Sequence, residues 1–164
     1  MSSATDTIER TIVLRAPRTR VWRALTDARE FGAWFGVKVE GGPFKPGARM
    51  RGAITHKGYE HVTWYITIDR MEPERLFSWR WHPAAIEPGV DYAAEPTTLV
   101  VFELEDAPEG TRLTVTESGF DDVPLARRAQ AYRMNGDGWT WQMTSIETYL
   151  ASGAGHTEPT PGTR

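Results

Sequence analysis

The sequence predicts an α+β fold in which a curved antiparallel sheet of about seven strands grips one long C-terminal helix, with two short helices after the first strand. Two patterns carry this. Between Pro124 and Leu150, the residues Tyr132, Gly136, Trp139, Met143, Ile146 and Leu150 recur at helical spacing, a stripe that needs a surface to lie on. Ahead of it, the chain from Val37 to Ser118 reads as strands and turns with no helix between them, which excludes a doubly wound parallel sheet. One helix laid across a curved antiparallel sheet satisfies both patterns.

The first strand, Ile8 to Leu14, is rich in β-branched residues and stops at Ala16 and Pro17. Pro17 suits the opening of a helix, in which Val21, Trp22 and Leu25 fall at helical spacing. Asp27 can cap a second helical piece whose Phe31, Trp34 and Phe35 share a face, and Gly36 can end it. These two helices are expected to close one end of the sheet. Val37 to Glu40 reads as a short strand and Gly41 to Gly47 as a turn-rich loop. Arg49 to Thr55 and His61 to Met71 read as longer strands joined around Gly58, the second alternating Val62, Trp64, Ile66 and Ile68 with polar residues.

In Leu76 to Trp81, the residues Phe77, Trp79 and Trp81 form an aromatic stripe while Ser78 and Arg80 take the other face. His82 to Pro96 then loses all periodicity and carries Pro83, Pro88 and Pro96. A loop of this length in a compact domain often serves as a lid or rim, and a mobile rim is expected, with an ordered dimer contact as the alternative. Leu99 to Glu105 and Arg112 to Ser118 are the last two strands. Their inward residues are Val100, Phe102 and Leu104, then Leu113, Val115 and Glu117. Residues 1–7 and the Gly-, Pro- and Thr-rich stretch 151–164 are expected to be disordered, leaving one domain over 8–150.

Composition narrows the function classes. A chain of 164 residues is long enough for one real core, and the absence of cysteine removes disulfides, thiolate metal sites and Cys nucleophiles. No signal pattern opens the chain and no apolar run approaches the ~18 residues of a membrane span, so a cytoplasmic protein with no membrane partner is expected. The net charge of -3, with no basic block, argues against nucleic acid. Arg127 and Arg128 read as a solvated helix face.

Catalytic motifs are scarce. The four histidines, His56, His61, His82 and His156, form no i, i+4 pair and no HExxH, so no metal is expected. The stretch GGPFKPG is not a phosphate-cradling loop, no GxSxG occurs, and no cofactor is expected. What remains are polar residues on apolar faces. Glu117 points inward at a strand end and must be paired, solvated or protonated. A nearby Arg or helix-end amides would satisfy it; a catalytic base is the other reading. His82 and Tyr92, at the start of the long loop and within it, are rim candidates or ordinary loop surface.

Seven tryptophans is a high count, and Trp64, Trp79, Trp81 and Trp139 all fall on inward faces. A concave sheet under a helix carrying Gly136 can fill with these rings or keep a partly apolar cavity between them. Gly136 and Gly138 each cost about 1 kcal/mol relative to Ala in a helix interior, and leave room for a close neighbour or a ligand.

The residues from Ala16 to Phe35, Pro73 to Pro83 and Pro96 to Phe120, with the Gly138-Trp139 pair, resemble the START-like, helix-grip fold of the Bet v 1-like or SRPBCC superfamily. The wording is most similar to the branch of the C-terminal domain of the activator of the heat-shock protein 90 ATPase. That resemblance, which covers almost the whole chain, implies a superfamily of lipid carriers, polyketide cyclases and hormone receptors.

The expected function is binding of a small hydrophobic or amphipathic molecule in a cavity between the sheet and the last helix. Trp64, Phe77, Trp79, Trp81, Phe102, Glu117, Tyr132, Gly136, Trp139 and Met143 would surround it, with His82 and Tyr92 at its rim. A cyclase- or dehydratase-like enzyme using Glu117, His82 or Tyr92 is one alternative. A chaperone-associated adaptor working through an exposed face is the other. No second catalytic residue stands at a defined spacing from Glu117, so binding is expected ahead of catalysis.

Overall fold

The computed structural model describes residues 5–153, so the expectations placed on residues 1–4 and 154–164 lie outside the described residues. Strand β1 (Thr7–Leu14) leads into helices α1 (Arg18–Thr26) and α2 (Ala28–Phe35). Strands β2 (Val37–Glu40), β3 (Arg49–Ile54), β4 (Thr63–Glu72), β5 (Leu76–Trp81), β6 (Thr98–Ala107) and β7 (Gly110–Ser118) follow, then a 3-10 turn at Phe120–Asp122 and helix α3 (Leu125–Ala151). The seven strands form one antiparallel sheet in the order β1-β7-β6-β5-β4-β3-β2. The first strand thus lies beside the last, and the two short helices carry the chain from one edge of the sheet to the other.

Local chemistry explains the junctions. Asp27 accepts from the Glu30 amide at 3.0 Å, capping α2, and Gly36 ends that helix in the left-handed region at φ 91°. Alternation then decides which side chains enter the core: Trp64, Ile66 and Ile68 of β4, Phe77 and Trp79 of β5, Val100, Phe102 and Leu104 of β6, and Leu113, Val115 and Glu117 of β7 are all buried. From α3 the buried stripe is Ala131, Gly136, Trp139, Met143 and Ile146, with Tyr132 and Leu150 half-buried beside it.

Several expectations shift. The fourth strand starts at Thr63, not His61, because turns closed by the Tyr59 and Val62 amides hold residues 56–62. Ser78, expected on the solvent face, is buried. A register shift between Ile68 and Arg70 brings Asp69 over it: the Ser78 hydroxyl donates to the Asp69 carboxylate at 2.9 Å and accepts from the Arg70 amide at 3.1 Å. At the start of the chain, Asp6 accepts from the amides of Gly119 and Asp121, tying the entry of β1 to the exit of β7. Arg127 is no solvated-face residue. Its guanidinium donates to the Glu95 carboxylate at 2.7 Å and to the Pro83 carbonyl at 2.9 Å, and lies 4.8 Å from the centre of the Tyr92 ring.

Candidate functional site

The concave face of the sheet and α3 enclose an aromatic interior. Trp79 is its hub: ring centres lie 5.3 Å away for Phe102, 5.4 Å for Trp81 and 6.3 Å for Trp139, and Phe102 and Trp139 are 5.7 Å apart. Phe77 joins this cluster through Trp79 and Phe102, at 5.7 and 6.1 Å. Trp64 lies further along, reaching the others through Phe31 and Phe35. The space between sheet and helix is therefore lined, and largely occupied, by rings in tilted, edge-to-face and, for Phe77 with Phe102 and Phe31 with Phe35, stacked contact.

Glu117 is embedded in that wall and has no exposed surface. Its Oε1 accepts from the Trp139 indole at 2.7 Å and from the Asn135 amide at 2.9 Å. Its Oε2 accepts from the Trp81 indole at 2.8 Å, the Thr98 hydroxyl at 2.5 Å and again Asn135 at 3.1 Å. The sequence suggested an Arg or helix-end amides as its partners; four neutral side chains satisfy it instead. Indole and amide nitrogens can only donate, so this shell is built for the ionised carboxylate. Burial works the other way and is the larger effect, pushing the Glu117 carboxyl above its ordinary range, while the bonds from Thr98, Trp139, Trp81 and Asn135 hold it down.

The remaining predicted residues divide by position. Tyr132 lies against Phe120 and donates to the Thr7 carbonyl at 2.8 Å, closing the seam between α3 and β1 rather than the aromatic interior. Gly136 gives close passage to β1: a Cβ there would sit 3.3 Å from the Arg10 guanidinium, which donates to the Gly136 carbonyl. Met143 is buried on the same helical stripe as Trp139. His82 bonds the Glu95 carbonyl through Nε2 at 2.9 Å, and the Tyr92 hydroxyl accepts from the Glu87 amide. Both are tied within the long loop, and neither contacts Glu117.

Three residues were missed. Thr98 continues the inward parity of Val100 and Phe102, a signal visible once β6 is started one residue earlier. Asn135 sits next to the apolar stripe, where a polar residue half-buried beside Trp139 could have been flagged. Phe35, placed on α2 but not in the site, is half-buried and touches Trp64, Trp79, Trp81 and Trp139 at centroid distances of 6.4, 6.0, 6.2 and 6.2 Å.

Two depressions stand out on the surface of the described residues. A pocket of about 90 Å³ opens where β5 ends at Trp81 and leaves Tyr65 and Ile66 of β4 paired only with β3, with Met50, His82 and Thr97 around it. A wider hollow of about 570 Å³, between Arg18, Glu74 and Gly110, lies at the other end of the strands and includes none of the predicted site residues. The small pocket adjoins Trp81, which also faces the aromatic interior.

The sequence profile of one protein family, described as Activator of Hsp90 ATPase homolog 1-like protein, matches residues 15–151. No curated protein matches the chain. Among solved structures, protein MLL2253 from Mesorhizobium loti is 26% identical over 89% of this chain and 97% of that one, with a TM-score of 0.69. DynU16, a protein of the dynemicin biosynthetic locus, is also 26% identical, with a TM-score of 0.68 over 90% of this chain and 48% of its own. The Aha1 dimer from Colwellia psychrerythraea, at 17% identity and a TM-score of 0.66 over 91% and 98% of the two chains, shares the fold.

Proposed function

Since the chain belongs to the family of Activator of Hsp90 ATPase homolog 1-like proteins, we propose that it binds a small amphipathic molecule between the sheet and α3, with the polar end at Glu117. The observation that carries this reading is a carboxyl group with no exposed surface and no basic partner among the described residues, set in an aromatic wall. Burying such a group costs several kcal/mol of stability that an apolar side chain would not cost, and an acid whose pKa is raised by burial and held by specific partners is a functional-site candidate.

Both oxygens are already saturated, so a ligand hydroxyl or amine reaches Glu117 by replacing a donor. Trp81 and Asn135 are the half-buried ones, and Trp81 borders the small pocket. His82 and Tyr92 supply no acid–base partner to Glu117, which favours binding over a cyclase- or dehydratase-like reaction. Native mass spectrometry of the purified protein tests the proposal: a co-purified small molecule, lost after organic extraction and competing with an anilinonaphthalene probe, is expected. A protein that carries nothing and takes up no apolar probe would refute it.

A protein-binding adaptor role, in keeping with the family description, has one observation in its favour. Trp141 is 62% exposed on the outer side of α3, its ring 5.9 Å from His56, which is in turn 6.0 Å from Tyr59. An exposed aromatic group of this kind suits a protein contact. Dimerisation, which the Colwellia structure's description states of that protein, would use the same patch here. Sedimentation of wild type and Trp141→Ala separates the cases: a dimer lost in the variant supports the contact, a monomer in both argues against it.

A further inference from the structure

Two indole N–H groups in the interior, those of Trp64 and Trp79, are buried and have no acceptor within hydrogen-bond reach among the described residues. Trp64 is 4% exposed and Trp79 not at all. The other two interior tryptophans are each satisfied by Glu117, and Trp34 donates to the Ala24 carbonyl at 2.7 Å. Unsatisfied buried donors are rare in folded proteins and each costs about 1–3 kcal/mol, so a pair on one concave face calls for a cause.

Their common neighbours are Phe31 and Phe35. Phe31 is sealed in the core, whereas Phe35 is half-buried and also touches Trp81 and Trp139. Its backbone is held: Gln142 donates to the Phe35 carbonyl at 2.9 Å, Ser145 donates to the Trp34 carbonyl at 2.6 Å, and Gly36 follows at φ 91°. With that backbone fixed, a passage of the half-buried Phe35 ring toward solvent would run through rotation about its side-chain bonds, with α2 and α3 still docked. The space it vacates is bounded by four tryptophans.

We infer that Phe35 is the plug of the binding site, and that the ligand replacing it carries a hydrogen-bond acceptor oxygen, a carbonyl or ether, for the Trp64 and Trp79 indoles. This rests on the ligand-binding reading above and adds the chemistry of the ligand: a donor group at Glu117, an acceptor oxygen some distance along an apolar body, and aromatic contact on every side. Glu117 alone selects for a donor; the two indoles select for an acceptor. An unfunctionalised hydrocarbon leaves both indoles unsatisfied and is discriminated against.

The probes acetophenone and ethylbenzene, which share a phenyl ring with a two-carbon side chain and differ in that a carbonyl takes the place of the benzylic methylene, test this in the full chain. In Phe35→Ala, where the plug is shortened to leave a cavity able to take a benzene-sized molecule, acetophenone is expected to bind about five- to tenfold more tightly than ethylbenzene. It is also expected to bind Phe35→Ala more tightly than wild type, which must first displace the ring. Trp79→Phe and Trp64→Phe in that background each narrow the preference. Because Trp79 is fully buried and its variant can fail to fold, the indole N–H resonances of Phe35→Ala give a second reading. Those of Trp64 and Trp79 move downfield with acetophenone and stay in place with ethylbenzene.

Equal affinity for the two probes, or a preference that survives both tryptophan replacements, overturns the acceptor inference while leaving the binding site intact. Binding of neither probe to either protein overturns both.

Discussion

Glu117 shows how much of a residue's role depends on neighbours far away in sequence. Its inward parity on β7 is readable from Leu113 and Val115. Its partners are not, since Trp81, Thr98, Asn135 and Trp139 come from β5, β6 and α3. In Glu117→Gln the new NH2 group can be accepted by the Thr98 hydroxyl alone, since the Trp81, Trp139 and Asn135 nitrogens only donate, so a loss of roughly 1–3 kcal/mol is expected in urea unfolding. Burial raises the folded-state pKa of Glu117, so its contribution to stability is fully present below the ordinary glutamate range and is lost as pH rises through the folded value. The stability gap between wild type and Glu117→Gln should therefore narrow with rising pH. A gap that widens would mean that the four donors outweigh burial. On binding, the same variant should weaken a polar-headed ligand about tenfold, or ~1.4 kcal/mol, and the wild type should turn over nothing it binds. Unchanged affinity with lost product formation would instead make Glu117 a general base.

Among the elements, the helices are positioned by close backbone approach and one buried ion network. A Cβ on Gly32 of α2 would lie 2.2 Å from the Val37 carbonyl oxygen of β2, so Gly32→Ala must part helix from strand, at an expected cost of about 1–3 kcal/mol. Gly138 is the opposite case. Nothing lies within 4 Å of a Cβ there, and Gly138→Ala should raise stability by up to about 1 kcal/mol, read as a higher midpoint in urea. Glu30, 1% exposed, accepts from Arg20 and Arg23 of α1 at 2.9 and 2.7 Å and from the Tyr149 hydroxyl of α3 at 2.9 Å. It thereby joins all three helices. Glu30→Ala removes the carboxylate that the two partly buried guanidinium groups share and should cost roughly 3 kcal/mol, again measurable in urea. The sequence marks Gly32 and Glu30 only as members of a short helix; their role comes from the packing of that helix.

For the molecule as a whole, the proposed binding requires that a ring-filled interior open. The long loop 82–97 is tied to the start of α3 by Arg127, through Glu95, Pro83 and the face of Tyr92. The cation over an aromatic face and the half-buried ion pair each contribute about 1 kcal/mol. Arg127→Ala should release the loop, with amide exchange at Ala84 to Ala94 rising severalfold over wild type and probe entry accelerating with it. If exchange in the wild type is already as fast as in the variant, the Arg127 contacts do not hold the loop. Protection there as slow as in the strands, with a dimer in sedimentation, would instead make this loop an interface.

The order of elements, the antiparallel sheet, the inward faces of β4 to β7 and the stripe of α3 were all legible in the sequence, because alternation and helical spacing are local patterns that hydrophobic burial imposes on any chain of this topology. Tertiary structure alone decided whether the concavity was empty or filled, what satisfied Glu117, and that Phe35 sits among four tryptophans. These depend on side-chain volumes and hydrogen-bond directions meeting across contacts as distant as Trp139 and Phe35, or Asn135 and Glu117. Periodicity reports which way a side chain points; only packing determines what it meets there.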